Sequence, residues 1–245
     1  MIIVTGMHRS GTSCISGLLE KCGLSLGTSH PIHDNKHPTN PKGHFENLQT
    51  IAINETILKH AGGTWCTPPP HKNIATIGQQ VGHFIQAFSK SFNGDIVKDP
   101  RTCLTIDVWE QFCPSIEKIV FCLRNPLAVA KSLNSRDGIP MEIGLGLWFH
   151  YVTQFFQGVK KAPVIIVEYD NLADNFEFEF SSLISALNIP LSQEEMLERT
   201  SGFYEKSLNH GATFDELYLS VLPPHIRDAY KVLKKRTFST MCTTA

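Results

Sequence analysis

Short apolar runs that do not alternate with polar residues constrain this chain more than any other feature. They stand at 2–5 (Ile-Ile-Val-Thr), 95–98 (Asp-Ile-Val-Lys), 118–123 (Lys-Ile-Val-Phe-Cys-Leu) and 164–168 (Val-Ile-Ile-Val-Glu). A strand with one wet face alternates in and out, so runs that are apolar throughout belong to strands covered on both faces. Helical patterns separate them, at 11–22, 102–112, 126–135 and 142–159, and continue after 168 to Lys235. Alternating strand and helix imply parallel pairing through helical crossovers, hence an α/β three-layer sandwich with a short central parallel sheet. The 245 residues suit a single domain spanning 1–245. Two segments break the rhythm: 28–45, rich in Pro, His, Asn and Gly, and 62–72, which contains Pro68-Pro69-Pro70. Loops of that length in a compact domain are usually functional. The choice of substrate is expected to lie there.

Composition excludes several classes. With a formal net charge of -1, the chain lacks the basic face of a general nucleic-acid binder. Seven cysteines without CxxC spacing, behind an N-terminal segment that does not read as a signal peptide, point to a reducing, cytoplasmic setting. No apolar run approaches the roughly 20 residues that span a bilayer.

The first strand runs straight into Gly6-Met7-His8-Arg9-Ser10-Gly11-Thr12-Ser13 and then into a helical pattern. Two glycines at this spacing occur by chance in a chain this long; their place on the first strand-to-helix turn makes them informative. There, Gly6 and Gly11 let the backbone curl so that its amides converge at a helix N-terminus, which suits a phosphate. An ATP- or GTP-binding loop would follow the second glycine with Lys and a Mg²⁺-holding hydroxyl. Here Thr12 stands in the Lys position and the loop's cation is Arg9. The donor group is therefore expected to be something other than a γ-phosphate.

A second constellation lies at the end of the third run. Arg124-Asn125-Pro126 follows it directly, Pro126 suits a first helical turn, and Ser132 comes eight residues after the arginine. Ligands of open α/β sheets bind at the C-terminal ends of strands, so Arg124 and Ser132 are placed to grip a second phosphate.

At this point the chain resembles the P-loop-fold sulfotransferases that use 3'-phosphoadenylyl sulfate (PAPS). Their 5'-phosphosulfate loop is similar to residues 5–13 and their 3'-phosphate motif to residues 124–132; Val167-Glu168-Tyr169-Asp170-Asn171-Leu172 resembles a segment beside their nucleotide. The resemblance is nearest to bacterial members that read Met-His-Arg-Ser-Gly-Thr-Ser and then, as at Asn40-Pro41-Lys42-Gly43-His44-Phe45-Glu46, Asn-Pro-Lys-Gly, an aromatic residue and Glu. Val97-Lys98-Asp99-Pro100-Arg101 is similar to the Lys-Asp-Pro of the tyrosylprotein sulfotransferases, and Pro100 occupies the place of the catalytic His of the cytosolic small-molecule enzymes.

The resemblance implies PAPS as co-substrate, adenosine 3',5'-bisphosphate as product, and a hydroxyl acceptor, of which a carbohydrate, glycolipid or other small molecule is expected. It implies a donor site of Arg9, Ser10, Gly11, Thr12, Ser13, Arg124, Ser132 and Tyr169, with Lys206 as a substitute for the absent Arg-Lys-Gly motif. Sulfuryl transfer needs a cation near the bridging oxygen and a base near the acceptor hydroxyl. Arg9 and Lys98 fit the first role and Glu46 the second, with His44 the other candidate base; Asp99 is expected to orient Arg9 or Lys98, or to cap a helix. No metal is expected: His30, His33, His37 and His44, with Cys66 and His71, match no zinc spacing. Trp148, Phe149, Tyr151, Phe155 and Phe156 are expected in the core. Two alternatives stay open, a P-loop small-molecule kinase and a nucleotide-binding module without catalysis.

Overall fold

Strand β1 (Ile2–Thr5) leads into α1 (Thr12–Lys21), and a two-residue pair, β2 (Ile32–His33) and β3 (Glu46–Asn47), precedes α2 (Leu48–His60) and α3 (His71–Ser91). There follow β4 (Ile96–Lys98), α4 (Thr102–Phe112), β5 (Lys118–Leu123), α5 (Pro126–Asp137), α6 (Met141–Gly158) and β6 (Val164–Glu168). The chain ends in α7 (Tyr169–Asp174), α8 (Phe176–Ala186), α9 (Gln193–Thr200) and α10 (Pro224–Lys234). These elements come from a computed structural model that describes residues 1–33, 42–203 and 219–238.

The central sheet has the order β4-β1-β5-β6 and is parallel throughout, with Val4 opposite both Lys98 and Val120, and Leu123 opposite Glu168. Both faces are covered, as the unbroken apolar runs require. Ile119, Phe121 and Leu123 join Phe88, Trp109, Tyr151 and Phe155 on one side. Val120 and Cys122 join Ile15, Leu18, Phe180 and Met196 on the other. Because all four strands point one way, the segments after β1, β4, β5 and β6 meet at a single edge.

The strands at 2–5, 118–123 and 164–168 and the helix at 102–112 stand where the apolar runs and helical periods put them. Trp148, Tyr151 and Phe155 are buried in the core, with Phe149 and Phe156 packed against it. Two helices were not expected. α2 and α3 fill the space between the short β2–β3 pair and β4, and α3 takes His71 and Lys72 out of the second expected loop. Its contact with α4 depends on missing side chains: a Cβ at Gly78 would lie 2.5 Å from Val108, and one at Gly82 2.5 Å from Phe112. The other expected loop holds β2, which pairs antiparallel with β3 and sets His33 opposite Glu46.

At the far end, α10 docks by a polar clasp. Tyr230 OH donates to the Glu168 carboxylate, and Lys234 Nζ lies 3.4 Å from it. Glu168 is fully buried at the end of β6. Among the described residues, no helix is long and apolar enough to cross a membrane.

Candidate active site

The loop between β1 and α1 is shaped by close approaches. Gly6 runs so near β5 that a Cβ would meet the Cys122 carbonyl oxygen at 2.4 Å, and Gly11, with φ +88, abuts the Tyr169 ring. Arg9 adopts a left-handed φ of 70, a conformation that costs a side-chain-bearing residue about 1–2 kcal/mol and persists only where neighbours hold it. Arg124 Nη1 does so, donating to the Arg9 carbonyl at 2.8 Å. The Arg9 side chain crosses to α5, where its Nε donates to Ser132 Oγ at 2.8 Å. Ser132 and Arg124 thus share Arg9 as a common partner.

Arg124 is fixed from several directions. Its guanidinium lies over the Tyr169 ring at 4.9 Å, its Nε is 3.7 Å from Asp170 Oδ1, and its carbonyl accepts from Trp148 Nε1 at 3.1 Å. Asp170 in turn accepts from the Asn125 amide at 2.9 Å, while Asn125 caps α5. Arg136, one turn beyond Ser132, adds a third guanidinium. Burial, followed by the charges of Arg136 and Arg124, pushes Arg9 down to about 10. Cations gathered against their own repulsion at a helix N-terminus make a fitting seat for a polyanion such as a nucleotide bisphosphate.

The other side of the site is built by residues 42–47. Gly43 and Phe45 both take positive φ, 97 and 57, which turns the chain sharply around His44. Phe45 packs edge-on against Phe203 at 6.3 Å, and Lys42 Nζ donates to the Phe203 carbonyl. So anchored, the turn delivers Glu46 to Lys98. Lys98 Nζ donates to Glu46 Oε1, to the His44 carbonyl at 3.0 Å and to Ser13 Oγ at 3.2 Å. Lys98 is 2% and Glu46 7% exposed. Burial alone would raise the Glu46 carboxyl, but the Lys98 charge and hydrogen bond, then Arg101, outweigh it and hold it below the usual range. Burial drives His44 down to about 4, with Lys98 and His33 adding to the effect against Glu46, so its ring is neutral at pH 7.

Asp99 does not orient Arg9 or Lys98. Successive strand residues point to opposite sides, so with Lys98 facing the loop, Asp99 faces the helices behind it. Its Oδ2 accepts from Asn54 Nδ2 at 2.9 Å and its Oδ1 from the Arg101 amide and Nη1, each at 2.9 Å. The amide bond belongs to the short turn before α4, whose N-cap is Arg101 and which no side chain caps, so Asp99 does not act as the expected helix cap either.

Sequence reasoning passed over Arg101, Asn54, His8 and Trp65. Arg101 Nη1 is 3.6 Å from Glu46 Oε2, and its Nη2 is 3.2 Å from Glu55 Oε1. The His8 ring lies 4.5 Å from Trp65, whose carbonyl accepts from Tyr151 OH at 2.8 Å. This ties the segment after α2 to the loop between β1 and α1. Arg101 had a readable signal, standing three residues past the C-terminal end of a strand. Lys206, His37, Asn40 and Pro41 lie outside the described residues. Among those described, no three His, Cys, Asp or Glu side chains gather as metal ligands do.

No family model matches the chain, and no curated protein does. Solved structures do. The sulfotransferase domain from the curacin biosynthetic pathway superposes with TM-score 0.53 and 13% identity, over 96% of this chain and 97% of that one. The sulfotransferase domain of the Synechococcus PCC 7002 olefin synthase gives TM-score 0.52 and 14% identity, over 96% and 94%. The chain has the three-layer α/β fold of these sulfotransferase domains.

Proposed function

We propose that the chain, acting as a single domain over 1–245 in the cytoplasm, is a sulfotransferase that moves a sulfuryl group from PAPS to a hydroxyl acceptor. A carbohydrate, glycolipid or other small molecule is the acceptor we favour, with adenosine 3',5'-bisphosphate as product and no metal taking part. One observation carries the reading. Arg9, Arg124 and Ser132 converge beside a glycine loop that lacks the kinase Lys, next to a buried Lys98–Glu46 pair.

The chemistry is an in-line displacement at sulfur. PAPS supplies an activated sulfuryl group on a good leaving group. The loop amides of residues 9–13, with Arg9, hold its 5' end; Arg124 and Ser132, with Tyr169 beneath the guanidinium, hold the 3'-phosphate, and Lys206 is assigned to close over it. Glu46 removes the acceptor proton as the acceptor oxygen bonds to sulfur. The bond from sulfur to the bridging oxygen breaks, its electron pair stays on the 5'-phosphate, and Lys98 with Arg9 stabilises that charge.

Sulfur-labelled PAPS incubated with a panel of sugars, glycolipids and phenols tests the reading, alongside calorimetry with adenosine 3',5'-bisphosphate. Label transfer and bisphosphate binding are expected. Tight binding of ATP with Mg²⁺ and none of the bisphosphate would support the kinase instead; bisphosphate binding with no transfer to any acceptor would support a non-catalytic module.

A further inference from the structure

Behind Glu46 lies a buried polar network that sulfuryl transfer does not by itself explain. Asn54, on α2, is its hub. Its Oδ1 accepts from Thr105 Oγ1 and from Trp109 Nε1, both at 2.8 Å, and its Nδ2 donates to Asp99 Oδ2 at 2.9 Å and Thr102 Oγ1 at 3.2 Å. Asp99, fully buried, passes this order on to Arg101 through the two bonds to its Oδ1. The far end of the chain of contacts is Glu46 Oε2. Glu46 is thus held by two cations, Lys98 on Oε1 and Arg101 on Oε2.

We infer that Arg101 is a positioning residue for Glu46, holding one carboxylate oxygen and supplying the counter-charge that lets Lys98 turn toward the donor. The inference rests on the reading of Glu46 as base and Lys98 as the cation of the leaving group. Lys98 has one ammonium for both tasks. If it were the sole partner, each approach to the bridging oxygen would leave a buried carboxylate unpaired, which is strongly disfavoured. Arg101 removes that conflict.

One guanidinium serves both carboxylates, with Nη1 2.9 Å from Asp99 Oδ1 and 3.6 Å from Glu46 Oε2. Asp99 already accepts from Asn54 and from the Arg101 main chain, and the Arg101 Nε stays buried without a partner. A buried donor left unsatisfied is a cost. It is accepted here in the orientation that aims Nη1 between Asp99 and Glu46. The charged and titratable groups facing Glu46 are Lys98 from β4, Arg101 and Asp99 from the following turn, His44 beside it, His33 opposite on β2, and Glu55 of α2 through Arg101. Lys98 and Arg101 are the permanent cations in that set.

The test reads the Glu46 carboxyl directly, by carbon-13 NMR of protein labelled at glutamate side chains, with the Glu46 signal identified by its loss in Glu46→Gln. Removing a cation at this distance from a carboxylate should raise its titration midpoint by about 1 pH unit or more in Arg101→Gln, and Arg101→Lys should restore most of the shift. Transfer from labelled PAPS to phenol, followed in parallel, should fail at a correspondingly higher pH as the solution is made acidic. A role confined to folding would lower the rate at every pH and leave the midpoint in place. If Arg101→Gln and Arg101→Lys both titrate as the unaltered protein does while Glu46→Gln loses transfer, the inference about Arg101 is wrong. If Glu46→Gln transfers at the original rate, the base lies elsewhere, and a shifted midpoint in Arg101→Gln would still show Arg101 holding that carboxylate.

Discussion

Replacing Arg124 by alanine should separate two nucleotides that differ by one phosphate. The side chain has two duties here. Its guanidinium is assigned to the 3'-phosphate, a charge-assisted contact worth roughly 1.5–3 kcal/mol. Its Nη1 also straps down the Arg9 carbonyl, and with it the strained loop assigned to the 5' end. The first loss falls on adenosine 3',5'-bisphosphate alone; the second falls equally on adenosine 5'-phosphosulfate, which has no 3'-phosphate. At about 1.4 kcal/mol per tenfold, calorimetry on Arg124→Ala should show the bisphosphate weakened on the order of 10- to 100-fold more than the phosphosulfate. The phosphosulfate should itself weaken by about tenfold, because the Arg9 strap goes with the side chain. Arg124→Lys keeps the charge but not the fork, and should recover only part of the difference. Equal losses for the two ligands, in protein whose circular dichroism is unchanged, would refute the assignment of Arg124 to the 3'-phosphate.

Gly11→Ala should destabilise the fold by roughly 2–5 kcal/mol, since a left-handed backbone and a Cβ 2.1 Å from Tyr169 add strain to overpacking; an unchanged urea midpoint would contradict it. The Glu46 carboxyl is depressed in the folded protein, so its ion pair stabilises the fold above the ordinary carboxylate range and that gain is lost as pH falls through the lower folded value. Urea unfolding at neutral pH should therefore show Glu46→Gln less stable than the unaltered protein, with the gap closing in acid; a constant gap would overturn the ion-pair account. EDTA should leave transfer intact, because Thr12 stands where a Mg²⁺-dependent loop has its Lys, whereas abolition with rescue by Mg²⁺ would return the kinase to favour. Glu46→Gln should lose about 10²- to 10⁴-fold in kcat and His44→Ala far less; the reverse order would give the base to His44.

The sheet was legible because its strands are apolar on both faces, so no alternation confuses the pattern in 118–123 or 164–168. α3 was not, although Ile74, Val81, Ile85 and Phe88 mark a helical stripe. Gly78 and Gly82 interrupt that stripe, and only the close approach of α4 explains why glycine is there. α2 hid itself differently, by burying Thr50 and Asn54 among its apolar residues. The glycine loop between β1 and α1 was readable because its signal is contiguous in sequence. Arg101, Asn54 and Asp99 were harder to read, since Asn54 meets Asp99 across 45 residues and Trp109 across 55. Which side chain turns toward which helix is decided by packing, and spacing alone misassigned Asp99 for that reason.

The clasp between Glu168 and Tyr230 bears on how the chain folds as it is made. Glu168 completes the last strand of the sheet, yet the hydroxyl that satisfies it is 62 residues further on. At translation rates of about 5–20 residues per second, roughly 3–12 s pass between the two. In the finished fold burial raises the Glu168 carboxyl while Lys234 and Tyr230 lower it, so during that interval it lacks both groups that favour its charged form. The carboxyl end of β6, next to Tyr169, therefore receives its hydroxyl partner only from a segment made after every strand of the central sheet.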